Sequence, residues 1–231
     1  MSPGILALSG IGLLLGFRHA FEPDHLAAVS TLATRQGSLF EACRLGLAWA
    51  AGHTASVGMV VLVIVVGGLR LPERLWPAAD LIVALLLIAL GGSVLLRYAR
   101  GRWHMHEHTH GAGPHLHLHS HARGAAHEHA HPRGDARRSL GFGLLHGLAG
   151  GAAILVLLVA AAPTRGAQLA YFFAFGAGTM IGMLLVSLSL AGIVRLASTR
   201  GARWATVLHL GSAAVSVAVG CALAQKVASA L

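Results

Sequence analysis

Residues 18–25 read RHAFEPDH and follow a run without any charge from Met1 to Phe17. Within this segment His19, Asp24 and His25 stand at i, i+5 and i+6. Two imidazoles and a carboxylate form a nitrogen and oxygen donor set suited to Ni(II), Co(II), Zn(II) or Fe(II), and too nitrogen-rich for Ca or Mg. On an ideal helix His19 and Asp24 would point about 140° apart. Pro23 changes that geometry, because it has no amide hydrogen for the His19 carbonyl and disfavours helical backbone at Glu22. The helix is therefore predicted to break here, so that the three side chains converge on one ion and a spare carbonyl turns toward a cavity. The alternative is an internal ion pair, with Arg18 and Glu22 neutralising each other at i, i+4 and Asp24 lying near a membrane interface.

Three more histidines sit in apolar surroundings: His53 in AWAAGHTASV, His146 in GFGLLHGLAGG and His209 in TVLHLGS. A lone buried histidine is ordinarily a hydrogen-bonded structural residue. His53 reads as a ligand because Gly52 leaves room beside it and Thr54 adds a polar neighbour. His146 stands open between ligand and structural residue, and His209 reads as structural. Cys43 and Cys221 are far apart and form no CxxC motif, which argues against a disulfide framework or redox chemistry. The single lysine, Lys226, follows Ala-Gln, so no glycine-rich loop ending in Lys-Ser/Thr exists to cradle nucleotide phosphates. No prosthetic group and no catalytic residue are expected, and any transport is secondary or powered by a partner.

These residues must be positioned by membrane helices. The 231 residues are 55% hydrophobic and 11% charged, with mean hydropathy +0.70, far too apolar for a soluble domain. Charge-free stretches cover 45–69, 81–96, 139–164, 166–194 and 204–225, and with the N-terminal run they give six candidate spans. The fold class expected is an all-α integral membrane protein whose first helix is broken at the HAFEPDH segment. The N-terminal run carries no basic residue before it and no small-x-small site after it, so it is expected to stay as a span. A net charge of +9 does not imply nucleic acid, since the arginines cluster at span ends. The connections after spans one, three and five hold twelve arginines, Arg35, Arg44, Arg97, Arg137 and Arg195 among them; the opposite side holds Arg70, Arg74, Arg165 and Lys226. The positive-inside rule places the richer side in the cytoplasm and both termini outside.

The chain also resembles itself. Leu15-Gly16-Phe17 recurs as Leu140-Gly141-Phe142, an offset of 125, and GHTASVGMVVLV from Gly52 recurs as GAGTMIGMLLVS from Gly176, an offset of 124. Two three-span halves, 1–103 and 139–231, would then cross the membrane in opposite senses. Between them, 104–138 forms a histidine-rich cytoplasmic loop, expected to be disordered. Residues 104–131 hold eleven of the sixteen histidines, and imidazoles in alternation chelate borderline divalent metals; a polar linker enriched in histidine by drift is the plainer account.

RHAFEPDH with the following LAAVSTLAT resembles the H-x4-D-H signature of the nickel/cobalt permeases (the HoxN/HupN/NixA group). It is more similar still to the short six-helix, urease-accessory nickel permeases of the UreH type. AGHTASV resembles that family's second histidine motif, and LLHGLAGGAA and FGAGTMIGM resemble the short branch's fourth and fifth helices. The resemblance implies uptake of Ni(II), and of Co(II), across a bacterial cytoplasmic membrane. It carries His19, Asp24, His25 and His53 over as ligands and adds nickel chaperones of urease or hydrogenase maturation as partners. Longer permeases have an acidic motif where this chain has Gly143-Leu144-Leu145-His146-Gly147, which draws further attention to His146.

Overall fold

The structure, a computed structural model, describes residues 3–33, 38–65, 67–68, 72, 75–100, 104–110, 113–119, 132–148, 162 and 164–229. In chain order its elements are α1 (Pro3–His19), α2 (Pro23–Ala33), α3 (Leu39–Val65), α4 (Leu75–Ala99), β1 (His104–His110), β2 (Gly113–His119), α5 (Pro132–Gly147), α6 (Arg165–Thr199) and α7 (Ala202–Ala228). Among the described residues, α3, α4, α6 and α7 are long and apolar enough to cross a membrane. The α1–α2 pair, bent by 57°, makes a fifth candidate if it counts as one span. Of the six stretches read from sequence, 139–164 is covered only by the end of α5, and 149–161 lie outside the described residues. Large apolar side chains such as Leu14, Met59, Phe173 and Ile181 point outward, as helices in lipid require.

Small residues set the helix pairing, because in lipid association relies on close packing rather than on expulsion of water. In α1 against α6, Gly12 faces the Tyr171 carbonyl, Gly16 the Phe175 carbonyl and Gly178 the Leu13 carbonyl, and Gly182 abuts Ala20. In α5 against α3, the Ser139 hydroxyl donates to the Leu45 carbonyl over 2.8 Å. Gly143 faces the Trp49 carbonyl, Gly52 the Leu140 carbonyl, and Gly147 abuts Ser56. Both pairs run parallel, and their contacts correspond one for one. Residues 12, 13 and 16 of α1 and Ala20 just after it map onto 139, 140, 143 and 147 of α5 at a constant offset of 127; 45, 49, 52 and 56 of α3 map onto 171, 175, 178 and 182 of α6 at 126. These registers differ by two residues from the sequence offsets of 125 and 124. The repeated letters set Leu-Gly-Phe against Leu-Gly-Phe, whereas packing sets against each other the glycines that meet a neighbour's carbonyl.

Two further pairs run antiparallel. In α3 and α6, Gly46 meets Ser187 and Gly176 meets Thr54; in α4 and α7, Gly91 meets the Ala213 carbonyl and Gly220 the Ala84 carbonyl. The Ser216 hydroxyl also donates to the Leu87 carbonyl over 3.1 Å. Buried Ala27, Ala28, Val29, Trp49, Ala50, Val83, Leu87, Met183 and Val186 form the core that joins α2 to this framework.

The histidine-rich segment departs from the expected disorder where it is described. β1 and β2 pair antiparallel with His104 opposite His119, His106 opposite His117 and His108 opposite His115. Histidine alternating with Met, Glu, Thr and Leu has the period of two that an extended strand requires. Residues 120–131 lie outside the described residues.

Candidate metal centre

The backbone turns sharply between His19 and Pro23. The Phe21 amide donates to the Arg18 carbonyl over 2.9 Å and the Glu22 amide to the His19 carbonyl over 3.0 Å, ending α1 in a tight turn. The His19 carbonyl, expected to be spare, is thus satisfied locally by the residue just before the proline. Pro23 opens α2 at its first position, where a missing amide hydrogen costs nothing. Asp24 falls in the first turn of α2, where the positive end of the helix dipole favours a carboxylate. The bend therefore leaves His19 on the last residue of one helix and Asp24 and His25 at the start of the next. His53 comes from the middle of α3 and His146 from the end of α5.

The structure brings all five residues together. His19 Nε2 lies 3.3 Å from His53 Nε2. Asp24 bridges two rings, with Oδ1 3.2 Å from His25 Nδ1 and Oδ2 3.1 Å from His146 Nε2. The four imidazoles are all buried. They form two overlapping groups, His19–His25–His53 and Asp24–His25–His146, each with its donor atoms within 4.8 Å of one another. Two nitrogens bound about 2.1 Å from one ion at a tetrahedral angle stand about 3.4 Å apart, so the His19–His53 spacing already fits coordination. His25 Nε2, His53 Nδ1 and His146 Nδ1 are buried without a hydrogen-bond partner, lone pairs or donors that burial makes costly unless something takes them up.

Two contributors escaped the sequence reading. Glu22 does not pair with Arg18; its Oε2 lies 3.0 Å from His19 Nδ1. It accepts the Nδ1 hydrogen and so leaves the Nε2 lone pair aimed at the site, as carboxylates behind metal-binding histidines do. The signal was the i, i+3 spacing of His19 and Glu22, which the competing i, i+4 spacing to Arg18 obscured. Trp49 is the second. Its ring lies 5.3 Å from that of His53 and within 8° of parallel, and 5.1 Å from His25 and from His146. It stands one helical turn before His53, a spacing equally typical of core tryptophan. On the far side the Phe175 ring lies 5.4 Å from His19. His209, in α7, is buried and takes no part in either group.

No family model matches the chain, and no solved structure matches it. A curated relative, the urease accessory protein UreH of Bacillus sp. (strain TB-90), is 31% identical over 199 residues, covering 86% of this chain and 82% of that protein. The chain belongs to the UreH-type nickel permeases. This UreH-type permease is a multi-pass membrane protein of a transporter family and not an enzyme. Its cluster of four imidazoles and a carboxylate can hold a divalent ion, and a nickel-related role agrees with a donor set of nitrogen and oxygen alone.

Proposed function

We propose that this permease imports Ni(II), and Co(II) as a second substrate, through the His19–Asp24–His25–His53–His146 cluster. The observation that carries the reading is convergence: ligand-type side chains from four helices meet at the break of a bent helix inside a chain of the UreH type. Ionisable residues at membrane depth are costly and mark ion paths. An incoming aquo ion exchanges its water for imidazole and carboxylate, and a site with one carboxylate holds the ion loosely enough to release it.

The same reading makes the molecule a six-span inverted repeat in the bacterial cytoplasmic membrane. Parallel α1–α6 and α3–α5 pairs with antiparallel α3–α6 and α4–α7 pairs are what six alternating crossings demand, with α5 opening the fourth. His146 is then the repeat partner of His19, and Thr179 that of His53. The arginine-bearing ends of α3, α4, α5, α6 and α7 fall together on one side, taken as cytoplasmic by the positive-inside rule, with the termini outside. Segment 104–138 lies on that side and passes released ions toward nickel chaperones. The testing experiment measures cellular nickel and cobalt at submicromolar supply in a host without its own transporters. Accumulation with the wild type, lost in Asp24→Asn and largely kept without 104–131, is the expected result. Metal content below the empty-vector control would mean export, and no change in any strain would mean an accessory role without transport.

A further inference from the structure

The two rings that cap the histidine cluster are related by the same register that relates the helices. Trp49 of α3 and Phe175 of α6 correspond at the offset of 126, just as His19 and His146 correspond at 127. Each ring packs on the histidine of its own parallel partner helix: Trp49 on His146 at 5.1 Å, Phe175 on His19 at 5.4 Å. Each aromatic carbonyl also receives a glycine of that helix, Gly143 for Trp49 and Gly16 for Phe175. Because α3 and α6 run antiparallel, with Gly176 beside Thr54, Phe175 stands level with position 55 of α3. Trp49 lies six residues back along the same helix, about 9 Å away, and His53 falls between the two levels.

What lies beyond each ring differs. On the Trp49 side, toward Arg44, Arg137 and Arg138, a small cavity is bounded by Trp49, Val29, Leu45, Gly46, Ser139 and Ser187. Ser187 Oγ and Trp49 Nε1 are buried there without a partner, two polar groups beside a space about the size of a single water. On the Phe175 side, Phe175 belongs to one buried apolar cluster with Val57, Val61 and Tyr171, and the Tyr171 hydroxyl is likewise buried and unpartnered.

We propose that Trp49 and Phe175 are the inner and outer gates of the metal path, two repeat-related aromatic rings that close the histidine cluster from opposite faces. The proposal rests on the transport reading above. Rocking of α3 with α5 against α1 with α6 opens one end of the seam between the two pairs at a time, and each ring moves with its own pair because its glycine–carbonyl contact ties it to its parallel partner. Bulky apolar rings at a constriction block a hydrated ion by excluding its water, and rotation or displacement of one ring opens one side only.

The test uses the full chain in right-side-out and inside-out membrane vesicles. Equilibrium binding of radioactive Ni(II) is measured first, in wild type and Asp24→Asn. The vesicles are then loaded and chased with membrane-impermeant EDTA. The expected result is Asp24-dependent nickel that wild type releases slowly to either face. Trp49→Leu releases it at least tenfold faster only in inside-out vesicles, Phe175→Leu only in right-side-out vesicles, and Trp49→Phe, which keeps a ring, restores slow release. Thermal unfolding of each variant in detergent shows that it is folded. Equal acceleration at both faces, acceleration at the wrong face, or none would overturn the gates while Asp24-dependent binding stands. Absence of Asp24-dependent binding in wild type would overturn the transport site itself.

Discussion

Gly143→Ala is expected to damage the metal centre without touching any ligand. Gly143 lies in α5 three residues before His146. A Cβ there would press on the Trp49 carbonyl oxygen and stand 2.9 Å from the carbonyl carbon and 3.0 Å from the His53 amide nitrogen. Comfortable contact for such atoms is about 3.5–4.0 Å, and with the carbonyl oxygen the nearest of the three α5 must retreat from α3 by more than about one ångström. His146 Nε2 now sits 3.1 Å from Asp24 Oδ2, and that retreat carries the pair past hydrogen-bond range. Overpacking costs about 1–3 kcal/mol of stability. Displacing a ligand from its orienting partner costs about 10–100-fold in metal affinity. The control lies two residues away on the same helix: a Cβ at Gly141 meets nothing within 4 Å, so Gly141→Ala gains about 0.5–1 kcal/mol from helix propensity. Thermal unfolding in detergent and isothermal titration with Ni(II) read both quantities. Wild-type stability and affinity in Gly143→Ala, or equal damage in Gly141→Ala, would refute the packing argument.

Glu22→Gln should lower nickel affinity by about 10–100-fold with little change in unfolding temperature, since the Glu22 side chain is 45% exposed and acts on His19; titration of the purified protein checks it. His146→Ala should abolish tight nickel binding, whereas His209→Ala, buried in α7 and outside both donor groups, should leave the affinity within about twofold of wild type and cost only stability. Deleting 104–131 should reduce total bound nickel, measured by elemental analysis after desalting, while one equivalent dependent on Asp24 remains.

Much of the centre was legible because its grammar is local. Pro23 announces a break four residues after His19, and a break is what lets His19, Asp24 and His25 share a site despite an angle of about 140° on a straight helix. His146 was visible as a polar intrusion among leucines, but nothing local tied it to Asp24, 122 positions earlier. The role of Trp49 depends on which face of α3 meets α5, and that is decided by Gly52 and Gly143 meeting backbone carbonyls of the opposite helix. Such contacts leave no trace in hydropathy. The same cause explains why the offsets between the matching sequence strings differ by two residues from the offsets between the helix contacts, for a glycine at a helix contact and a glycine facing lipid are identical letters. The strands β1 and β2 are legible only in the period of two of HMHEHTH and GPHLHLH, which a count of histidines does not carry.

The central claim is that one nickel ion sits among these five side chains. Nickel K-edge X-ray absorption on protein lacking 104–131 and loaded with one equivalent tests it most directly. The account predicts a shell of nitrogen and oxygen at about 2.1 Å, with multiple scattering from at least two imidazoles that diminishes in His19→Ala and in His53→Ala. A sulfur neighbour, or an imidazole signal unchanged by both substitutions, would contradict it.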